Sequence, residues 1–226
     1  LLRTINNARK DPAYSSIFHA PRSILNQKIT GSRRFAAQSY DLSRIKAVCK
    51  IYGTTVNDVV MAMCATALRS YLMNQDALPE KPLIAMVPVS LRKDDSSGGN
   101  QVGVILASLH TDVTSPVTRL MQIHEDVKAA KDRYAHMSAE EIINYTALTL
   151  APAAFHLLTG MAPKWQTFNV VISNVPGPRE TCYWNGAMMD AMYPVSIAMD
   201  RLALNMTLTS YGDQVGFALI ACRRTL

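Results

Sequence analysis

The chain has 226 residues, 49% of them hydrophobic, which excludes a disordered segment and allows one large domain or two small ones. No apolar run approaches the roughly 20 residues of a membrane-spanning helix. Four scattered cysteines (Cys49, Cys64, Cys182, Cys222) without a C-x-x-C pair exclude a zinc ribbon or disulfide scaffold and read as reduced thiols.

Residues 1–10 are expected to form a short polar helix stopped by Asp11-Pro12, and residues 11–32 an extended arm. Arg34 to Tyr40 reads as a strand. From Asp41 to Tyr52 the apolar residues Leu42, Ile45, Val48, Cys49 and Tyr52 recur at helical spacing, with Asp41 as cap and Gly53 as stop. Thr55-Val56-Asn57-Asp58 has capping-box spacing and opens a second helix to about Met73. That helix is apolar almost all round as far as Ala67, which predicts a place in the middle of the domain. Leu83 to Val89 is a short strand, Leu91 to Asn100 a polar loop, and Val102 to Thr111 a longer strand. Ser115-Pro116 starts an amphipathic helix to about His136. Ser138-Ala139-Glu140-Glu141 is a second capping box, whose helix runs towards Leu158 and stops at Gly160. Phe168 to Ser173 is a strand entering the turn Asn174-Val175-Pro176-Gly177-Pro178. Strands follow at about 187–192, 203–210 and 215–221, the last two joined at Tyr211-Gly212-Asp213. Mixed elements early and strands late predict an α/β (α+β) fold, a mixed sheet flanked by helices. Residues 1–32 are then a linker helix and arm, and residues 33–226 the domain.

The net charge of +6 is unevenly placed: residues 1–50 hold ten Lys and Arg against Asp11 and Asp41, and the remainder is net −2. Such a segment favours a phosphate-bearing partner or is a solvated surface, and charge alone does not separate the two. No basic stripe with interleaved stacking aromatics is present, so no nucleic-acid partner is expected. The histidines, His19, His110, His124, His136 and His156, show no paired spacing, and no metal site is expected.

Several segments, in order and across roughly residues 24–224, resemble the bacterial wax ester synthase/acyl-CoA:diacylglycerol acyltransferase family. They are Gly53-Thr54-Thr55-Val56-Asn57-Asp58-Val59-Val60, Ala67-Leu68-Arg69-Ser70-Tyr71-Leu72, Val87-Pro88-Val89-Ser90-Leu91-Arg92, Gly99-Asn100, Asn169 to Pro178, Tyr193-Pro194-Val195-Ser196 and Leu204-Asn205-Met206-Thr207. The resemblance implies the C-terminal half of a two-domain CoA-dependent acyltransferase fold, like chloramphenicol acetyltransferase and condensation domains, with the active site between the halves. It further implies transfer of a long-chain acyl group from acyl-CoA, a co-substrate, to a fatty alcohol or a diacylglycerol, without a permanently bound cofactor. The family's base lies in a His-His-x-x-x-Asp-Gly motif. None of this chain's histidines is followed by Asp-Gly, so the base is expected from an N-terminal half, the implied partner, that precedes the segment starting at Leu1. A non-catalytic lipid- or partner-binding module of the same fold is the alternative. The expected location is the cytoplasm, with peripheral contact at the inner membrane or lipid inclusions, and with a homodimer, left open.

The candidate site residues each carry two readings. Asn57 and Asp58 orient substrate from the first turn of a buried helix, or cap that helix. Ser173 and Asn174 aim donors at the oxyanion, or form a turn before Pro-Gly. Thr146, Ala147, Leu150, Ala151 and Ala154 leave room for an acyl or alcohol chain, with Met192 as an adaptable lining, or permit close packing. Lys28, Arg33 and Arg34 meet CoA phosphates or an anionic lipid surface, or lie solvated on a strand edge.

Overall fold

The computed structural model describes residues 20–90, 102–159 and 166–226. A 3-10 turn at Ile24–Asn26 precedes β1 (Arg33–Asp41), α1 (Leu42–Tyr52), α2 (Val56–Asn74), β2 (Ile84–Ser90) and β3 (Val102–Ser108). Next come α3 (Pro116–Ala135), α4 (Ala139–Thr159), β4 (Val170–Val175), β5 (Tyr183–Trp184), β6 (Ala187–Met188), β7 (Leu204–Tyr211) and β8 (Gln214–Cys222). Six strands form one mixed sheet in the order β1-β8-β7-β4-β2-β3, parallel at β7–β4 and β4–β2 and antiparallel elsewhere. Among the described residues β1 pairs on one side only, and most of its side chains are exposed.

Strand side chains alternate between the two faces, which separates two kinds of packing. On the first face Val87, Ile105, Ile172, Met206, Leu208 and Phe217 meet the buried sides of α2 and α3 in the main core. On the second face Ile84, Phe168 and Val171 form a smaller cluster with Leu150 and Ala153 of α4. The earlier α4 residues Ile142 and Tyr145 belong to the main core, and Tyr145 stacks edge-on against Tyr134 of α3 at 5.8 Å. Helix α4 therefore passes round the β3 edge and reaches both faces.

Local chemistry sets the helix ends. The Thr55 hydroxyl accepts from the Asp58 N–H while the Asp58 carboxylate accepts from the Thr55 N–H, a complete capping box. Ser115 accepts from the Thr118 N–H ahead of Pro116. Ser138 and Glu141 close the reciprocal pair that starts α4. Gly53 ends α1 at φ +66, where a side chain would be strained.

Residues 20–32 are not a free linker. Leu25 is fully buried, and Asn26 donates from Nδ2 to the carbonyls of Phe168, Asn169 and Arg201. The buried Asn169 completes the knot: Oδ1 accepts from the Ile84 N–H at 2.9 Å, and Nδ2 donates to Pro21 O and Asn26 Oδ1, both at 2.8 Å.

Several expectations need correction. Asp41 occupies the cap position of α1 without a capping bond, because its carboxylate accepts from Gln214, directly opposite in the β1–β8 register. Strand β3 ends at Ser108 instead of Thr111, since His110 takes φ +45 and turns the chain. Strand β4 continues through Asn174 to Val175, so the turn begins at Pro176. The strand expected over 187–192 is only the second half of a two-residue-per-strand hairpin. Its turn, Asn185-Gly186, has both φ values positive (47° and 82°), the Asn-Gly signal of a tight hairpin. The helix over 1–10, the arm as far as residue 19, the loop 91–100 and Gly160 lie outside the described residues.

Candidate active site

Asn57 and Asp58 open α2, and consecutive helical residues point about 100° apart. Asp58 turns inward and is 1% exposed. Its Oδ2 accepts from the Thr55 N–H (2.8 Å), the Thr55 hydroxyl (2.8 Å) and His124 Nδ1 of α3 (2.7 Å). Asn57 stays half-buried, and its amide lies 3.5 Å from Met61 Sδ, one turn on. The pair therefore divides: Asp58 fastens the helix start, while Asn57 makes one weak bond from Nδ2 to Met61 Sδ and has its carbonyl oxygen and second N–H left for another partner. His124 was missed by sequence reasoning, because its bond to Asp58 spans 66 residues.

Ser173 and Asn174 divide in the same way. Ser173 is level with Thr207 on the second face, and Asn174 is level with Leu208 on the first, so one site cannot use both from the same side. Beyond them the Gly177 N–H donates to Ser210 Oγ at 3.1 Å. A Cβ at Gly177 would stand 2.0 Å from the Ser210 carbonyl oxygen, so only glycine lets the turn lie against β7. Around Ser173 the second face is polar and buried: Asn205, Thr207 and Thr209 of β7 are each under a tenth exposed. Thr207 donates to Asn205 Oδ1 (2.7 Å) and Thr209 to Val175 O (3.0 Å).

Of the residues expected along an acyl groove, Ala147 and Ala151 line a cavity of about 640 Å³ with Met137, Glu141, Asn144, Tyr145 and Leu148. Leu150 turns to the sheet and packs with Ile84 and Val171. Thr146 buries its hydroxyl with no hydrogen-bond partner among the described residues, and Ala154 is exposed farther along α4. Met192 lies away from this cavity, over β8: a Cβ on Gly216 would come within 2.5 Å of its carbonyl oxygen. Two hydrogen bonds from Ser138 hold the Glu141 carboxyl below its ordinary pKa, which keeps a negative charge at the rim and at the favourable end of α4. A second cavity of about 620 Å³ lies between α1, α2 and α3, walled by Ile45, Val48, Ala62, Met63 and Leu120 with Arg44 alongside.

Lys28 and Arg34 are exposed, while Arg33 folds back to donate to the carbonyls of Thr30 and Ser32. Backbone bonds bring further cations to this end of the sheet: Arg201 N–H donates to Gln27 O (3.0 Å) and Arg223 N–H to Ser32 O (3.2 Å), with Arg224 adjacent. These three were missed because they lie far along the chain. The loop before α3 is fastened by Arg119, 2% exposed, which donates to the carbonyls of His110, Val113 and Thr114 and to Thr66 Oγ1. Among the described residues no three His, Cys, Asp or Glu converge as a metal site would need. No single described helix is long and apolar enough to cross a membrane.

The mixed sheet, with α2 and α3 on its first face and α4 reaching round to its second, is a fold shared with solved condensation-type domains. A cyclization-docking bidomain of a nonribosomal peptide synthetase from Sorangium cellulosum shares the fold at a TM-score of 0.58 and 16% identity, over 98% of this chain and 44% of that one. The particular family follows from closer likeness. Residues 98–226 match the model of the WS/DGAT C-terminal domain, and residues 1–60 match that of the wax ester synthase/diacylglycerol acyltransferase catalytic domain. The chain belongs to the wax ester synthase/diacylglycerol acyltransferase family. It is similar to the solved wax ester synthase/diacylglycerol acyltransferase of Marinobacter aquaeolei VT8, with 70% identity, a TM-score of 0.83, and coverage of 100% of this chain and 49% of that one. It is 52% identical to the O-acyltransferase WSD of Acinetobacter baylyi over 96% of this chain and 47% of that protein. The chain spans about half the length of the curated relatives it matches. The catalytic-domain match ends inside α2, after β1 and α1.

Proposed function

We propose that the full-length protein carrying this chain transfers a long-chain acyl group from acyl-CoA to a fatty alcohol, giving a wax ester, or to a diacylglycerol, giving a triacylglycerol. In the reaction a base removes the alcohol proton as the oxygen attacks the thioester carbonyl. The C–S bond then breaks, and the CoA thiolate takes up the proton. An imidazole suits this proton transfer at neutral pH, and it would come from the half of the relatives that this chain does not span, the partner half. This chain supplies the opposite wall. Asn57, with Asn174 on the same face of the sheet, offers amide donors to the developing oxyanion; Ser173, on the other face, is the alternative donor for a channel on that side. The apolar chain would lie along Ala147 and Ala151, with Thr146, Leu150 and Ala154 behind or beyond them. Lys28 and Arg34, joined by Arg223 and Arg224, would meet the CoA phosphates or an anionic lipid surface. The protein would work in the cytoplasm, in peripheral contact with membrane or lipid inclusions.

The observation that carries this proposal is the match of residues 98–226 to the family's C-terminal domain, supported by 70% identity with a solved wax ester synthase/diacylglycerol acyltransferase along the whole chain. The test is an assay of the full-length protein with palmitoyl-CoA and either hexadecanol or dipalmitoylglycerol, following free CoA thiol and ester together. Equal amounts of thiol and ester are expected with at least one acceptor. A folded protein that makes neither ester refutes the proposal and leaves a lipid-binding module.

A further inference from the structure

Helix α2 needs only its capping box to start. Thr55 and Asp58 already satisfy each other's backbone N–H groups, and the Thr55 hydroxyl adds a third contact within the box. The bond from His124 is different in kind. It arrives from the side, from the middle of α3, at 2.7 Å on a carboxylate that is 1% exposed. With the carboxylate as acceptor, Nδ1 is the donor of this contact. A bond from the flank restrains rotation of the first turn of α2 about the helix axis. Asn57 is one residue earlier on that turn, so the rotation that His124 fixes is also the direction in which the Asn57 amide points.

We infer that His124 is a positioning residue: through Asp58 it sets the Asn57 side chain in the reaction channel. This rests on the proposed acyl transfer and on a role for Asn57 in it. The other His–Asp pair, His110 Nε2 to Asp126 Oδ2 at 2.8 Å, also leans on α3, but the bonds of His110 run to Ser108, Arg119 and Asp126 and, among the described residues, to none of those named for the channel. It serves as an internal control.

The experiment uses the full-length protein with palmitoyl-CoA and hexadecanol, and measures kcat, KM and Tm for N57A, H124L, H124N and H110N. Asparagine at 124 can place an amide N–H where Nδ1 stood, whereas leucine cannot donate. The expected result is a kcat lowered about tenfold to a hundredfold in H124L, with KM changed less than about twofold, because misplacement by a fraction of an ångström acts on the reacting geometry. H124N should recover most of that loss, H110N should keep the parent kcat, and N57A combined with H124L should be no worse than N57A alone. Should H124L not fold, H124Q replaces it, since its amide lies one methylene too far. Parent kcat in H124L alongside a lowered kcat in N57A overturns the positioning role alone. So does a kcat loss in H124L that H124N leaves in place. Parent kcat in N57A overturns the role of Asn57 in the reaction, and the inference with it.

Discussion

Ala147→Phe tests the acyl groove most directly. Ala147 is exposed on α4 and lines the cavity of about 640 Å³, so a larger side chain enters open space instead of the core. The ring adds six carbons, and even if the substrate tail yields contact for only two methylenes, the loss is about 1.6 kcal/mol at roughly 0.8 kcal/mol per buried methylene. That is about fifteenfold in kcat/KM for a long-chain substrate. A short chain that never reaches Ala147 loses nothing. The assay is a competition between decanol and hexadecanol for palmitoyl-CoA, and a parallel one between decanoyl- and palmitoyl-CoA with one alcohol, with esters separated by chain length. The ratio should move about tenfold or more towards the shorter chain in one of the two competitions, with Tm unchanged, because no buried contact of the parent is disturbed. A folded variant with the parent's chain-length profile in both refutes the groove.

Three further outcomes are expected. Asn57→Ala should lower turnover while shifting Tm by less than about 2 °C, since the amide makes one weak contact and the capping box remains. Equal turnover per folded molecule reduces Asn57 to a helix-start residue. Arg119→Met should remove the donor shared by the His110, Val113 and Thr114 carbonyls and Thr66 Oγ1 and lower stability by about 3 kcal/mol. Differential scanning calorimetry should then show a Tm about 6–12 °C lower, and a Tm within about 2 °C of the parent contradicts the clamp. Burial pushes the Cys64 thiol up to about 12. The unfolded thiol ionises near its ordinary value of about 8.5, so the stability linked to Cys64 is whole below that pH and is lost as pH rises towards the folded value. Cys64→Ala should therefore lose less Tm between about pH 8 and pH 10 than the parent does. Identical slopes would mean that the native thiol ionises as freely as the unfolded one.

What the sequence made legible was local chemistry. Thr55 with Asp58, Ser115 with Pro116, and Ser138 with Glu141 are each written within four residues, and each starts the expected helix. The order of strands and helices was legible for the same reason. The site was legible as a set of motifs but not as a geometry. Asn57-Asp58 and Ser173-Asn174 read as pairs, yet helical rotation separates the first and strand alternation the second. His124, Asn169 and Arg119 act across 53 to 148 residues, and no local pattern marks such partners. The Asn185-Gly186 hairpin is the opposite case, a two-residue signal present in the sequence and overlooked beside a longer apolar stretch.

The one-sided pairing of β1 has a practical consequence. Among the described residues, Arg33 to Asp41 offer a row of amides and carbonyls along the rim of the sheet, with charge only at the two ends, Phe35 half exposed and Tyr40 partly covered by Phe217. Such a rim is a template for an incoming extended chain. Expressed on its own, the segment would tend to add copies of itself edge to edge, so its solubility would measure stickiness as much as folding. A lysine or proline placed in the middle of that rim is the simplest way to separate the two.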